Sequence, residues 1–302
     1  MEPEYANGLV SVVLPTYNRA QFLPEAIGSV IDQTYRPIEL VVVDDGSTDE
    51  TEKIVEELTA EAGPRLTIRF LSQSKQGAPA ARNLGLLESR GQFIQFLDSD
   101  DIMHPQKLEA QVRILQAYPN AEYVWADFHW ARDKDFDLFD SSHEYEYDIE
   151  FLAENARIDT GSAVEVWTGL YRRSACRRIG PWNETLERWQ DLEYNFRFDC
   201  LAPITAWTDA KLYKNRGHDE GRIIDDRYET EGISRGIHTL EVIEEVVEHV
   251  GLESLPVEVN LRGRYFQLAR KALQFGTTEQ VDIALRRAIE HSAVGFDTVT
   301  LR

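Results

Sequence analysis

Hydrophobic runs alternate with amphipathic stretches through the first 120 residues of the chain. Apolar runs at residues 9–14, 38–43, 66–71 and 92–97 predict strands, and the nearly unbroken run at 38–43 fits a parallel strand that is buried on both faces. Helical spacing of apolar positions follows each run, over 21–33, from about 47, over 79–89 and over 105–117. Strand–helix units in series predict an open, mostly parallel sheet that is flanked by helices, an α/β fold.

The second predicted helix carries start and stop signals. Ser47 and Glu50 have the spacing of a capping box, and acidic residues fill the first turn, where the helix dipole favours them. Gly63 and Pro64 are expected to end this helix.

The pattern changes after a predicted strand at 123–127. Residues 133–150 are rich in acids and aromatics, which is typical either of a solvated loop or of a flap over a site. Further strands are expected at 164–170 and 204–208, with a helix at 187–200 between them. From about Ile233 the chain predicts two or three amphipathic helices, so we divide it into residues 1–220 and a helical extension, 221–302.

Composition narrows the class of protein. The 302 residues are 42% hydrophobic with a net charge of −21, which supports a packed core and argues against a nucleic-acid partner. No apolar stretch reaches the 18 residues of a membrane span, and the acidic start at Met1 is unlike a secretion signal. Two cysteines, Cys176 and Cys200, are too few for a disulfide scaffold. We expect a cytoplasmic protein, with peripheral contact to the inner face of the membrane left open.

The candidate chemistry follows the predicted strands, where open parallel sheets bind ligands. Asp98, Asp100 and Asp101 follow the fourth strand, and three adjacent carboxylates repel one another unless a positive group compensates them. Mn²⁺ or Mg²⁺ would do so, since hard cations prefer carboxylate oxygens. The alternative is an acidic turn that caps the next helix.

Two other strand ends point to the same crevice. Asp44 and Asp45 follow the second strand and suit the hydroxyls of a ribose or a base N–H. Tyr17, in the segment 15–18 after the first strand, suits stacking on a base. Arg82, early in the third helix, is placed to reach a phosphate.

Three motifs together carry a family resemblance. Residues 12–18 (VVLPTYN), 43–49 (VDDGSTD) and 96–101 (FLDSDD), with 77–85 (GAPAARNLG), resemble the family 2 glycosyltransferases in order and spacing. The resemblance implies a GT-A fold and an inverting enzyme, with a donor half at 9–127 and an acceptor half at 150–220. It implies nucleotide contacts from Pro15, Thr16, Tyr17, Asn18, Asp44, Asp45, Arg82 and Asp98, and metal ligation by Asp100 with Asp98.

The second half resembles the family less closely. Residues 160–173 are similar to the acceptor-side strand, and residues 189–193 (WQDLE) to the segment whose Asp acts as general base. The resemblance implies that Asp191 is the base, although Gln190 replaces the usual Glu. Residues 213–218 resemble a late loop in which His218 would be a further metal ligand.

The implied activity is transfer of a sugar from a nucleotide diphosphate, by default UDP, with dTDP or GDP open. The acceptor would be a glycan, a lipid-linked sugar or a glycoside, as in polysaccharide biosynthesis, and the C-terminal helices suit an acceptor, a membrane or a homodimer. A sugar-1-phosphate nucleotidyltransferase is disfavoured because residues 15–20 are neither glycine-rich nor strongly basic. A non-catalytic sugar-nucleotide-binding protein stays open, and donor hydrolysis would exclude it. The chain contains no Gln-x-x-Arg-Trp segment, which disfavours a processive synthase.

Overall fold

The computed structural model describes residues 5–63, 66–132, 147–160, 166–201, 204–217, 230–250 and 255–293. The chain packs as two compact units. The first comprises Met1–Glu184 and Tyr194–His218, and the second comprises Thr185–Glu193 and Asp219–Arg302.

The first unit is built on one mixed sheet, in the order β3-β2-β1-β4-β8-β6-β9-β5 with β7 beside β9. Strands β1 to β4 are mutually parallel, and β8 and β5 run antiparallel to their partners. This confirms the α/β prediction of a mostly parallel sheet. The described strands are β1 (Ala6–Thr16), β2 (Ile38–Asp44), β3 (Thr67–Ser72), β4 (Gly91–Phe96), β5 (Ile102–Met103), β6 (Tyr123–Arg132), β7 (Arg157–Thr160), β8 (Leu170–Arg172) and β9 (Ile204–Gly217).

Alternation along β1 divides the core between the two faces of the sheet. Val12 and Leu14 share one apolar cluster with Leu23 of the first helix, whereas Val13 belongs to a second cluster that contains Tyr171. Both faces of β1 are therefore covered, which explains why this strand is mostly apolar on both sides. The helices are α1 (Leu23–Ile31), α2 (Thr51–Ala62), α3 (Ala78–Glu88), α4 (Lys107–Ala117), α5 (Ile149–Glu154), α6 (Arg173–Ile179) and α7 (Gln190–Leu201).

Helix α3 lies unusually close to the sheet. A Cβ atom built on Gly85 would stand 2.4 Å from Cγ1 of Val13 and 3.2 Å from Cγ2 of Val43. A glycine at this position therefore lets the helix backbone approach β1 and β2.

The second unit contains the three C-terminal helices that the sequence predicted. They are α8 (Thr230–Val250), α9 (Leu255–Phe275) and α10 (Thr278–Ala293). Buried apolar residues on α8 and α9, such as Leu240 and Leu268, form the packed faces. Glu244 of α8 bonds to His291 of α10 at 2.6 Å. No helix in the described ranges is long and apolar enough to cross a membrane.

Three local predictions were wrong. Helix α2 begins at Thr51, and Ser47 does not cap it, because the Ser47 hydroxyl instead accepts from the backbone N–H of Asn18 at 2.8 Å. Strand β8 begins only at Leu170, after a 3₁₀ turn at Val166–Thr168.

The third wrong prediction is the short strand at 204–208. Pairing with β6 and β5 extends β9 to Gly217, so residues 213–217 form a strand end instead of a loop. Most of the acidic stretch 133–150, apart from residues 147–150, and His218 lie outside the described residues.

Candidate functional site

The end of β1 presents one buried hydroxyl and one exposed ring. Thr16 is buried, and its Oγ1 atom has no hydrogen-bond partner among the described residues. The neighbouring Tyr17 is 37% exposed, and the Lys75 ammonium lies 4.0 Å from the centre of its ring. Pro15 is buried and pairs with Val43 of β2. A flat, polar ligand could bond to the unpaired Thr16 hydroxyl and stack on the exposed Tyr17 ring.

The loop after β1 is tied to the loop after β2. Asn18 adopts a positive φ of 49° and donates its backbone N–H to the hydroxyl of Ser47. Its side-chain oxygen accepts from the backbone N–H of Thr48 at 2.8 Å. These reciprocal bonds fix the position of Tyr17, which precedes Asn18, relative to β2.

The two carboxylates at the end of β2 shape the backbone around them. Asp44 accepts from the N–H of Ser47 with both oxygens, at 3.1 and 3.2 Å. Asp45 is buried and accepts three bonds of 2.8 Å, from the Gln73 side chain and from the backbone N–H groups of Gln76 and Gly77. Asp45 therefore holds the loop after β3 against β2.

The acidic turn, residues 98–101, follows β4, and its first acid is paired with an arginine. The Asp98 carboxylate accepts from the Arg82 guanidinium at 2.9 Å. That guanidinium also lies 4.6 Å from the ring centre of Trp182, which fixes it from the other side. The predicted phosphate-side arginine and the predicted metal-side aspartate thus lie together at one edge.

Asp101 is fully buried and has three hydrogen-bond donors. It accepts from the Tyr213 hydroxyl at 2.9 Å, the Asn215 amide at 2.9 Å and the backbone N–H of Arg216 at 2.8 Å. Burial raises the pKa of Asp101 well above its usual range, and the charges of Asp100 and Asp98 add to that rise. Asp101 therefore anchors the acidic turn to β9.

Arg216 completes this anchor. Its Nε donates to the backbone carbonyl of Asp100 at 3.1 Å, and its guanidinium pairs with Glu25 of α1. The same group lies 5.1 Å from the ring centre of Phe22, and burial lowers its pKa. Arg216 therefore joins β9, the acidic turn and α1.

The donor chemistry of the acidic turn fits a hard divalent cation. The oxygens of Asp101 accept from three donors, so the carboxylates of Asp100 and of Asp98, which pairs with Arg82, are the oxygens that this turn could offer to a cation. Within the described ranges no three His, Cys, Asp or Glu side chains converge into a complete cage. A cation here would need further oxygens from a bound phosphate or from water.

The segment around Asp191 belongs to the second unit. Trp189 has a positive φ of 52°, and helix α7 begins directly after it, with Asp191 half-buried in the first turn. A helix N-terminus favours negative charge. Glu193 is buried, and its N–H donates to the carbonyl of Trp189 at 3.2 Å. Gln190, which replaces the family's usual Glu, donates to the carbonyl of Glu187 at 3.2 Å.

The structure thus brings most of the predicted nucleotide and metal residues to the carboxyl ends of β1, β2 and β4. Sequence reasoning missed the anchoring roles of Tyr213, Asn215 and Arg216. Residues 213–217 (YKNRG) carry no local signal for these roles, because their common partner, Asp101, lies more than 110 residues earlier in the chain.

A family model described as "Glycosyl transferase family 2" matches residues 11–180. An uncharacterized glycosyltransferase of Rickettsia prowazekii is 30% identical over 219 residues, 72% of this chain and 67% of that protein. One of Haemophilus influenzae is 39% identical over 200 residues, 65% of this chain and 73% of that protein. A Rickettsia typhi relative is matched over 64% of its length, so the chain spans about two thirds of such relatives.

Solved structures share the fold at low identity. S. aureus TarS 1–349 in complex with UDP-GlcNAc has a TM-score of 0.66 at 19% identity, covering 93% of this chain and 81% of TarS. The mannosyltransferase PcManGT of Pyrobaculum calidifontis, in complex with GDP-Man and Mn²⁺, has a TM-score of 0.59 at 16% identity, covering 96% and 87%. The GT-A arrangement expected from the sequence is thereby confirmed.

Proposed function

The chain belongs to glycosyl transferase family 2, and on that premise we propose that it is a metal-dependent, inverting enzyme that uses a nucleotide-diphosphate sugar. The observation that carries the proposal is the common edge formed by the ends of β1, β2 and β4. On this edge Asp44 and Asp45 stand on one side of the unsatisfied Thr16 hydroxyl, and Asp98 and Asp100 stand on the other. Neighbouring strands lie about 4.8 Å apart, so the two acidic groups are spaced by roughly 10 Å, a span that a nucleoside diphosphate covers.

The nucleoside is assigned to the β1–β2 side of this edge. The Tyr17 ring offers a stacking surface, and the Thr16 hydroxyl and Asp44 offer polar partners to the base and ribose. Asp45 acts mainly by holding the loop that carries Lys75. UDP is the first choice, because the TarS structure contains UDP-GlcNAc; GDP is the second, since PcManGT contains GDP-Man.

The diphosphate is assigned to the β4 side. Asp100, with Asp98, would hold a divalent cation, which supplies positive charge to the departing diphosphate when it is bound. PcManGT contains Mn²⁺, which supports Mn²⁺ as the first cation to test. Arg82 lies beside Asp98 and is placed to contact a phosphate oxygen. His218 remains a proposed further ligand.

Asp191 is proposed as the general base, from its place in the segment 189–193. Its carboxylate takes the proton of the acceptor hydroxyl while that oxygen forms a bond to the anomeric carbon. The bond from the anomeric carbon to the diphosphate oxygen breaks, and the nucleotide diphosphate leaves with the electron pair. Attack opposite the leaving group inverts the anomeric centre. The acceptor is proposed to be a saccharide, a glycoside or a lipid-linked sugar.

Nucleotide binding and chemistry are separable by two Asp→Asn variants. Thermal shifts are measured with UDP, dTDP and GDP, each with and without Mn²⁺; a ligand at about 100 times its Kd adds roughly 2.7 kcal/mol of stability. We expect stabilisation by one nucleotide only with Mn²⁺, its loss in Asp100→Asn, and its retention in Asp191→Asn, which should lose sugar transfer. Metal-independent binding, or loss of nucleotide binding in Asp191→Asn, would contradict these assignments.

A non-catalytic nucleotide-sugar-binding protein is the remaining alternative. Hydrolysis of UDP-GlcNAc or GDP-mannose by the unmodified protein, and its loss in Asp100→Asn, would exclude that alternative. Binding of these donors without any turnover would favour it.

A further inference from the structure

Trp130 is an exposed aromatic residue beside the acidic turn. It lies near the end of β6, is 55% exposed, and pairs in register with Asn215 of β9. Residues paired across neighbouring strands point to the same side of a sheet, and the Asn215 amide donates to Asp101. The Trp130 ring therefore stands on the same face as the anchor of the acidic turn, one strand away from Asn215.

Gly217 provides a seat for this ring. A Cβ atom on Gly217 would stand 2.5, 2.8 and 3.1 Å from three atoms of the six-membered ring of Trp130. These three distances place the Cβ position of residue 217 over the face of the indole ring, and not beyond its edge. A side chain at 217 would displace the ring, so the glycine determines how Trp130 is presented.

The order of strands separates Trp130 from the nucleotide side. Strands β1 to β3, which carry the proposed nucleoside contacts, lie on one side of β4, and β6 and β9 lie on the other. Strand β8 stands between β4 and β6 but runs antiparallel to both, so it does not end at this edge. The next strand end beyond the acidic turn is therefore that of β6, with Trp130.

We propose that Trp130 is the platform for a pyranose ring of the acceptor, an inference that rests on the proposed function. An indole face buries the apolar C–H face of a sugar and leaves the sugar hydroxyls in water, so a neutral saccharide or glycoside fits this chemistry. A donor that extends from the β1–β2 side to the acidic turn ends next to this platform. Trp130 is thus a binding residue for the acceptor, with no role in proton transfer.

The direct test observes the ring itself. The full chain, which contains six tryptophans, is labelled with 5-fluorotryptophan, and the Trp130→Phe variant identifies the Trp130 resonance by its loss. Methyl β-glucoside, methyl β-galactoside and methyl β-N-acetylglucosaminide are titrated to tens of millimolar with UDP and Mn²⁺ present. We expect at least one of them to shift the Trp130 resonance and to leave most of the others in place.

Two variants separate a platform from a merely exposed ring. Gly217→Ala keeps the indole but moves it, and we expect about a tenfold weaker Kd for the pyranoside, equivalent to 1.4 kcal/mol. Phe151→Ala removes another exposed aromatic residue of the first unit and should leave the titration unchanged.

The outcomes distinguish this inference from the proposed function. If none of the three pyranosides shifts the Trp130 resonance while UDP binds, the proposal for Trp130 is wrong and the proposed nucleotide site is unaffected. A shift caused only by phosphatidylglycerol vesicles would also overturn it, because the ring would then contact lipid. Failure of UDP to bind counts against the proposed function, whereas a pyranoside shift in that case still supports the platform.

Discussion

Asp45→Asn tests whether a buried carboxylate builds the nucleotide side of the site. In the structure, one Asp45 oxygen accepts from the Gln73 side chain and the Gln76 N–H, and the other accepts from the Gly77 N–H. An asparagine has one acceptor oxygen, so in either orientation its NH₂ group opposes at least one backbone N–H.

The magnitude follows from those three bonds. A hydrogen bond to a charged group contributes about 1.5–3 kcal/mol and a neutral one about 1, so two weakened bonds and one lost bond cost about 4 kcal/mol. Relief of the buried charge offsets part of this, which leaves about 3 kcal/mol. At roughly 2–4 °C per kcal/mol for a domain of this size, the unfolding midpoint should fall by about 6–12 °C.

Thermal unfolding followed by circular dichroism at pH 7 measures the stability, and calorimetric titration with UDP and Mn²⁺ measures the affinity for the nucleotide. The affinity for UDP should fall several-fold, because the released loop carries Lys75, which lies over the Tyr17 ring. Asp32→Asn, the same substitution at an exposed position, should stay within about 0.5 kcal/mol of the parent. A midpoint shift below about 2 °C, with UDP affinity unchanged, would refute the reasoning.

Two further predictions concern packing and burial. Gly85→Ala should lower the free energy of unfolding by about 2 kcal/mol, because the added methyl group meets Val13. Gly28→Ala in α1 adds a methyl group that meets nothing, so it should raise the free energy of unfolding by about 0.5–1 kcal/mol. Urea titrations in which both variants shift the stability in the same direction would contradict this reasoning. Burial raises the pKa of the Cys176 thiol to about 12, so in a Cys200→Ser background iodoacetamide at pH 8 should label Cys176 only at the rate of unfolding. Since the unfolded thiol has a pKa of ~8.5, the contribution of Cys176 to the free energy of unfolding should fall as the pH rises from ~8.5 to about 12. Rapid labelling of Cys176 in the native protein at pH 8 would contradict its burial.

The strands and helices of residues 9–127 could be predicted from sequence because their signals are local. The apolar run at 38–43 is β2 (Ile38–Asp44) almost to the residue, and the acids that follow it lie where parallel strands end. The Gly63 signal also marks the end of α2, with a positive φ of 55°. Apolar periodicity and turn residues act within a few positions, so they can be read along the chain.

Other features depend on partners that are distant in sequence. Ser47 has every local mark of a helix cap, yet its hydroxyl binds Asn18, 29 residues earlier. The end of β9 reads as a loop because its polar residues face Asp101, more than 110 residues away, and not solvent. The roles of Asn215 and Tyr213 therefore required the three-dimensional arrangement.

The attachment of the acidic turn to β9 also bears on how the protein is made. Asp101 emerges from the ribosome well before Tyr213, Asn215 and Arg216, the three residues that donate to it. Until β9 is synthesised, the chain can form the β1–β4 region but cannot compensate this carboxylate in a closed core. Pairings of such high contact order form slowly, so the turn at residues 98–101 should reach its final position late in folding, after the β1–β4 region has formed. A nascent chain that ends before Tyr213 therefore holds Asp101 without any of the three donors that compensate it in the complete fold.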